Sequence, residues 1–150
     1  MAYPAIVRVL FLLLATAFMP IASAGDDPVH ERHELMEDVG DAAKPVGKML
    51  KGELDYDMEV VMASLQTWHD TSMTFGDLFP EGSDTGAGTE AAPAIWEDRA
   101  GFDEALDKFR VATEAALAAS PETVEAAKPV IGPIFQTCKG CHDDYRIEDE

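Results

Sequence analysis

Residues 138–142 read Cys-Lys-Gly-Cys-His and hold the only two cysteines in the chain's 150 residues. No other stretch limits the fold as much. Near its carboxyl end the chain must bring two thiols and an imidazole to one place. On a helix, Cys138 and Cys141 lie at i and i+3, and Cys138 and His142 at i and i+4. All three then project from a single face. The fold must supply a last helix for the motif and a wall of other elements across from it.

The amino end is a separate object. Arg8 is followed by an apolar run from Val9 through Ile21 and then by Ala22-Ser23-Ala24. A short apolar core ended by small residues is the pattern of a secretory signal peptide. The run falls short of the roughly 20 residues that span a bilayer. Residues 1–24 are therefore expected to be removed, leaving one exported domain over 25–150 with no membrane span in the mature chain. Outside the cytoplasm thiol pairs usually oxidise. A disulfide between Cys138 and Cys141 would close a very small loop and stabilise little. The two thiols are thus poorly explained as a staple.

Charge excludes one class of partner. The chain has 29 acidic against 11 basic residues, a formal charge of −18, and loss of Arg8 makes the mature segment more negative still. Such a surface repels nucleic acid and anionic lipid. It keeps the protein soluble and would attract cationic partners.

Helical spacing recurs in four segments, and strand patterning is poor. The first runs from about Pro28 to Lys51, with Leu35, Met36, Val39, Ala43, Val46 and Leu50 on one stripe, a kink expected at Pro45 and a stop at Gly52. The second runs from about Asp55 to Leu78, capped by Asp55 or Asp57, with Met58, Met62, Leu65, Trp68 and Phe75 or Phe79 buried. A loop rich in Gly, Ser and Thr follows from Pro80 to Pro93, long enough to be flexible or functional. The third segment starts near Pro93 and carries Ile95, Phe102, Leu106, Phe109, Ala112 and Ala116. The fourth is expected to start at Ser120-Pro121 and run to about Arg146, with Pro129 and Pro133 disturbing its first half. Trp96, Phe102 and Phe109 read as core, and His33 and His69 as surface or satisfied side chains. Four such segments with mostly short links predict an all-α, antiparallel, up-down-up-down four-helix bundle.

Cys-x-x-Cys-His is a c-type haem attachment pattern. Two thiols add to the two vinyl groups of the porphyrin, and the histidine on the same face reaches the iron. Three other readings compete. A redox dithiol belongs at a helix start in a βαβ setting, which is not evident here. A structural zinc needs four ligands, and His30, His33 and His69 would have to converge by folding. Two unused core cysteines leave the histidine unexplained. A haem bound within the bundle accounts for all three residues.

With that motif in place, the chain resembles the cytochrome c′ family, the class II cytochromes c, over essentially the whole mature segment. RHELMEDVG (Arg32 to Gly40) and GKMLKG (Gly47 to Gly52) look like the family's first helix. FPEGS (Phe79 to Ser83) looks like the exit of the second, and PAIW (Pro93 to Trp96) like the start of the third. CKGCHDDYR (Cys138 to Arg146) is the most specific of the five. The resemblance implies one haem c held by thioethers to Cys138 and Cys141, with His142 the proximal iron ligand. Arg32 matches a residue that meets a haem propionate, Met36 the distal position over the other haem face, and Glu90 a loop acid near the haem. Tyr145 and Arg146 would shape the proximal side. In one place the sequence departs from the pattern. Phe135 stands where the family usually has glycine three residues before the first attachment cysteine, so its ring must pack near the haem or turn away.

The resemblance leaves function divided at Met36. A thioether on the iron gives a six-coordinate, low-spin haem with a raised potential, suited to periplasmic electron transfer with a redox partner protein. If Met36 only fills space, the iron is five-coordinate and binds nitric oxide, carbon monoxide or another diatomic gas. The Leu35-Met36 to Gly40 stretch looks like the low-spin members. A haem-free helical binding module is the reading from another class. The sequence offers no catalytic triad, phosphate loop or spaced carboxylate dyad, so the chain reads as a carrier or binder rather than an enzyme. Many relatives pair as homodimers through their first two helices, and the resemblance implies the same here.

Overall fold

The computed structural model describes residues 27–85 and 88–147. The signal segment expected at residues 1–24 lies outside them. The described chain is helical: α1 Pro28–Lys51, α2 Met58–Thr74 with a 3₁₀ turn Phe75–Leu78, a one-turn α3 Ala94–Glu97, α4 Arg99–Ala119 and α5 Val124–Tyr145. The four long helices form the expected bundle, and no strand occurs among the described residues, only an isolated bridge between Ala91 and Arg146.

Local chemistry sets the boundaries. Asp27 accepts from the Val29 N–H, and Pro28, which has no N–H to satisfy, opens α1. Gly52 closes it at φ 78°, with its N–H on Met49 O and that of Glu53 on Lys48 O, a Schellman pair that glycine makes without strain. Pro45 lies within an unbroken α1. Asp57 caps α2 through the N–H groups of Glu59 and Val60. Asp57→Ala is expected to cost about 1 kcal/mol of stability, read as a lowered urea midpoint with an unchanged slope.

Two boundaries differ from the sequence reading. The third segment breaks at Asp98, whose carboxylate accepts from the Gly101 N–H and starts α4 afresh. Ser120 does not cap α5. It ends α4 in the left-handed region at φ 43°, and Thr123 caps α5 by accepting from Ala126 N. Pro129 and Pro133 leave α5 continuous; both are exposed, so the carbonyls they release face water.

The interior has two parts. Val46, Met49, Val61, Leu65, Trp68, Ala116, Ala127, Ile131 and Ile134 fill the half of the bundle away from the start of α1. Phe75, Phe79, Ile95 and Phe102 form a smaller aromatic cluster at the other end, with Leu35, Met36, Leu106 and Tyr145 against it. The apolar stripe of α1 therefore serves two purposes: Val46 joins the main core, where Met49, outside the predicted stripe, is buried and Leu50 only partly so, whereas Leu35 and Met36 reach the aromatic end. α1 packs mainly on α2, α4 on both α2 and α5, and α1 meets α5 only briefly. That brief meeting leaves a cleft where α1 begins and α5 ends.

Candidate haem cleft

The cleft encloses about 930 Å³ of empty space, open solvent at its mouth included. α5 contributes Thr137, Cys138, Cys141, His142, Tyr145 and Arg146. α1 contributes Val29, Arg32, His33, Met36 and Val39, and α4 contributes Phe102, Ala105, Leu106 and Phe109. Residues 88–91 lie along the rim. The motif residues, Arg32, Met36 and Glu90 thus converge on one cavity, although more than a hundred positions separate Arg32 from His142.

The thiols are half-buried and unpaired. Burial pushes the Cys138 thiol up, and burial with the neighbouring Cys138 and Asp144 pushes Cys141 up to about 11. A redox dithiol needs the opposite shift, towards thiolate. Among the described residues no group of three His, Cys, Asp or Glu side chains is placed to hold a metal ion, so a structural zinc lacks its donor set. His142 sits at the mouth; partial burial, followed by the charge of Arg146, holds its imidazole below its ordinary value. That direction favours the neutral imidazole, the form that can bind a metal.

Arg32 is the buried charge of the site, 6% exposed. Its Nε donates to Pro28 O at 3.1 Å and its Nη2 to Ser83 O at 2.8 Å. Its guanidinium lies 4.6 Å from the centre of the Phe79 ring. Burial lowers its pKa, partly offset by Asp27. Its Nη1 is the buried side-chain nitrogen or oxygen left without a partner among the described residues. A buried cation short of one acceptor, beside an otherwise apolar cavity, matches an apolar ring that carries carboxylates. Haem is such a group, and the residues present fit it.

The rim is tied across the chain. Ala92 N–H donates to Tyr145 O at 3.0 Å and Ile147 N–H to Glu90 O at 2.8 Å. Glu90 Oε2 stands 3.8 Å from Arg146 Nε, both half-exposed. The loop from Pro80 to Pro93, which has no apolar anchor in sequence, is held by polar ones. Ser83 is buried under Arg32, and Trp96 Nε1 donates to Pro80 O at 3.2 Å. Gly101 lets α4 approach Tyr145 closely, because a Cβ there would run into Asp98 and the Tyr145 hydroxyl.

Phe135 turns away from the cleft. Its ring meets Trp68 edge-on at 5.8 Å in the main core. His69 is satisfied near Thr113 Oγ1 at 3.4 Å, whereas His33, read from sequence as a surface or satisfied side chain, is exposed yet lines the cleft. Sequence reasoning also missed Ala105 and Thr137. Their signal was helical spacing: Ala105 shares a stripe with Phe102 and Phe109, and Thr137 lies one turn before Cys141.

Known proteins share this arrangement. The family model for cytochrome c′ matches residues 27–146. Cytochrome c′ of Rhodopseudomonas palustris is 40% identical over 127 residues, covering 85% of this chain and 86% of that one. A cytochrome c-556 of Agrobacterium tumefaciens is 31% identical over 120 residues, 80% of this chain and 97% of its own. The solved structure of the R. palustris cytochrome c′ superposes with a TM-score of 0.80 at 38% identity, covering 84% of this chain and all of that one.

Proposed function

Because the chain belongs to the cytochrome c′ family, whose cofactor is covalently attached haem c, we propose that it is a periplasmic monohaem electron carrier. In this reading Cys138 and Cys141 would hold the haem, and His142 and Met36 would bind its iron. When bound, the haem supplies a one-electron couple between ferric and ferrous iron. Export rests on the leader pattern of residues 1–24.

The chain's own residues divide the work. Cys138 and Cys141 fix the cofactor to α5, and His142, one position further, presents its imidazole from the same helix. Met36 brings a soft thioether from α1, which favours the ferrous state and raises the potential. Arg32 offers its unpaired Nη1 to a propionate. Phe75, Phe79 and Phe102 keep water from that end of the bundle. Glu90 and Arg146 close the rim beside His142. The observation that carries this reading is that Met36 and His142 line one cleft from two different helices.

A second reading has its own support. Val39, Phe75 and Leu106 line the cleft with Met36, and an apolar pocket of this kind suits a five-coordinate iron that binds nitric oxide or carbon monoxide. The ferric optical spectrum of the purified protein separates the two. A low-spin spectrum and a ferrous form inert to carbon monoxide are expected. A broad high-spin spectrum with ready carbon monoxide binding would reject Met36 ligation. A Soret band that survives acid–acetone extraction disposes of a haem-free binding module. Pairing of two copies is carried over from the resemblance; Met58 and Met73 are exposed at opposite ends of α2, and the sedimented mass measures the outcome.

A further inference from the structure

A second depression lies between α4 and α5, outside the haem cleft. It holds about 950 Å³ including its open mouth and is edged by Gly101, Glu104, Lys108, Gln136, Gly140 and Asp144. Four residues line both cavities: Ala105, Thr137, Cys141 and Tyr145. One layer of side chains therefore separates this groove from the cleft, and that layer includes an attachment cysteine and an aromatic ring. Gly140 adds no side chain to the edge, and a Cβ there would meet nothing within 4 Å. Another protein can come close to Cys141 here without displacing anything.

The two openings differ in charge. At the mouth of the cleft the exposed side chains include His33, His142 and Arg146, and Glu90 is engaged by Arg146. At the groove the one lining cation, Lys108, is taken up by Glu104 at 2.8 Å. Asp144 adds a second carboxylate to the groove's lining. Asp98 adds a third carboxylate beside Gly101. The Tyr145 phenol registers this surrounding: burial first, then Asp98 and Asp144, hold it above its ordinary value.

We infer that the groove between α4 and α5 is the docking site of a basic, lysine-rich redox protein, which exchanges one electron with the haem across Cys141 and Tyr145. The inference rests on the electron-transfer reading above. One electron leaves ferrous iron, which becomes ferric, and reduces the partner's metal centre by one unit, or the reverse. No bond is made or broken and no proton moves. Carboxylates around the groove steer the basic partner, and Gly140 lets it settle close to the shared wall.

The test uses the full mature holoprotein and a lysine-rich mitochondrial-type cytochrome c as probe, followed by stopped flow. At about 10 mM salt, the Glu104→Lys/Asp144→Lys variant is expected to react about tenfold more slowly than wild type, the difference shrinking at about 0.5 M salt. Gln136→Trp fills the groove without changing charge and is expected to slow the reaction at both salt concentrations. Glu122→Lys/Glu125→Lys makes the same charge change at the other end of α5, with Glu125 about 28 Å along the helix from Asp144, and is expected to leave the rate within about twofold of wild type. Equal rates in all four proteins, or equal slowing by the two charge variants, would overturn the docking site. The ferric spectrum of each sample is recorded first. A high-spin wild type rejects the carrier reading and this inference with it, whereas a low-spin protein with indifferent rates rejects the docking site alone.

Discussion

Met36→Leu is expected to turn a low-spin ferric spectrum into a high-spin one, to open the ferrous protein to carbon monoxide, and to lower the reduction potential. Leucine nearly matches methionine in volume and preserves the packing against Phe75, Phe79 and Phe102. What it removes is the thioether sulfur. The potential should fall by on the order of 0.1 V, a modest part of the roughly 0.8 V over which axial ligands set haem potentials. Spectra and a redox titration of wild type and variant check the result. Identical spectra in the two proteins would mean that Met36 packs beside the iron without binding it.

Trp68→Ala is expected to cause the largest loss of stability. Trp68 is 1% exposed in the main core. Its Nε1 donates to Val39 O at 3.1 Å, and its ring meets Phe135 edge-on. Removing so large a buried ring costs about 3–5 kcal/mol, a large share of the 5–15 kcal/mol that holds a typical domain together. The melting temperature should drop by roughly 15 °C, measured by circular dichroism on the haem-loaded protein. Trp68→Phe should recover much of the loss. Trp68 does not line the cleft, so the visible spectrum below the transition should not change. A drop of only a degree or two would mean that the site collapses around the missing ring and that Trp68 does not anchor the core.

Much of this was readable from sequence because it is local. Cys138, Cys141 and His142 announce their shared face by spacing alone, and Asp57 and Gly52 announce helix ends by their own chemistry. Ser120 misled because serine before proline reads as an N-cap. Only the chain path shows that Ser120 is still finishing α4 in a left-handed turn. The stripe on α1 gave the correct apolar face. Periodicity could not tell that Val46 would enter a filled core, with Met49 buried beside it more deeply than the predicted Leu50, while Met36 would border a cavity, since that depends on how little α1 and α5 touch. The anchoring of the 80–93 loop was invisible for a similar reason. The bond from Arg32 to Ser83 O spans 51 positions, and neither residue advertises the other. Phe135 shows the limit of carrying over a family pattern. The glycine that the pattern expects became an aromatic ring, and the ring was absorbed by Trp68 on the far side of the helix.

The bridge between Ala91 and Arg146 and the bond from Arg32 to Ser83 bear on how the protein is made. The cleft draws its walls from the first turns of the domain and from its last, so its contacts have a very high sequence separation. The entropy of closing a loop of about a hundred residues is met before those contacts return anything. A nascent chain that has emerged only as far as α4 carries Arg32 and Met36 but neither Cys138 nor Cys141. Completion of the haem site therefore waits for α5, and in the proposed attachment a product truncated before α5 cannot retain the cofactor covalently.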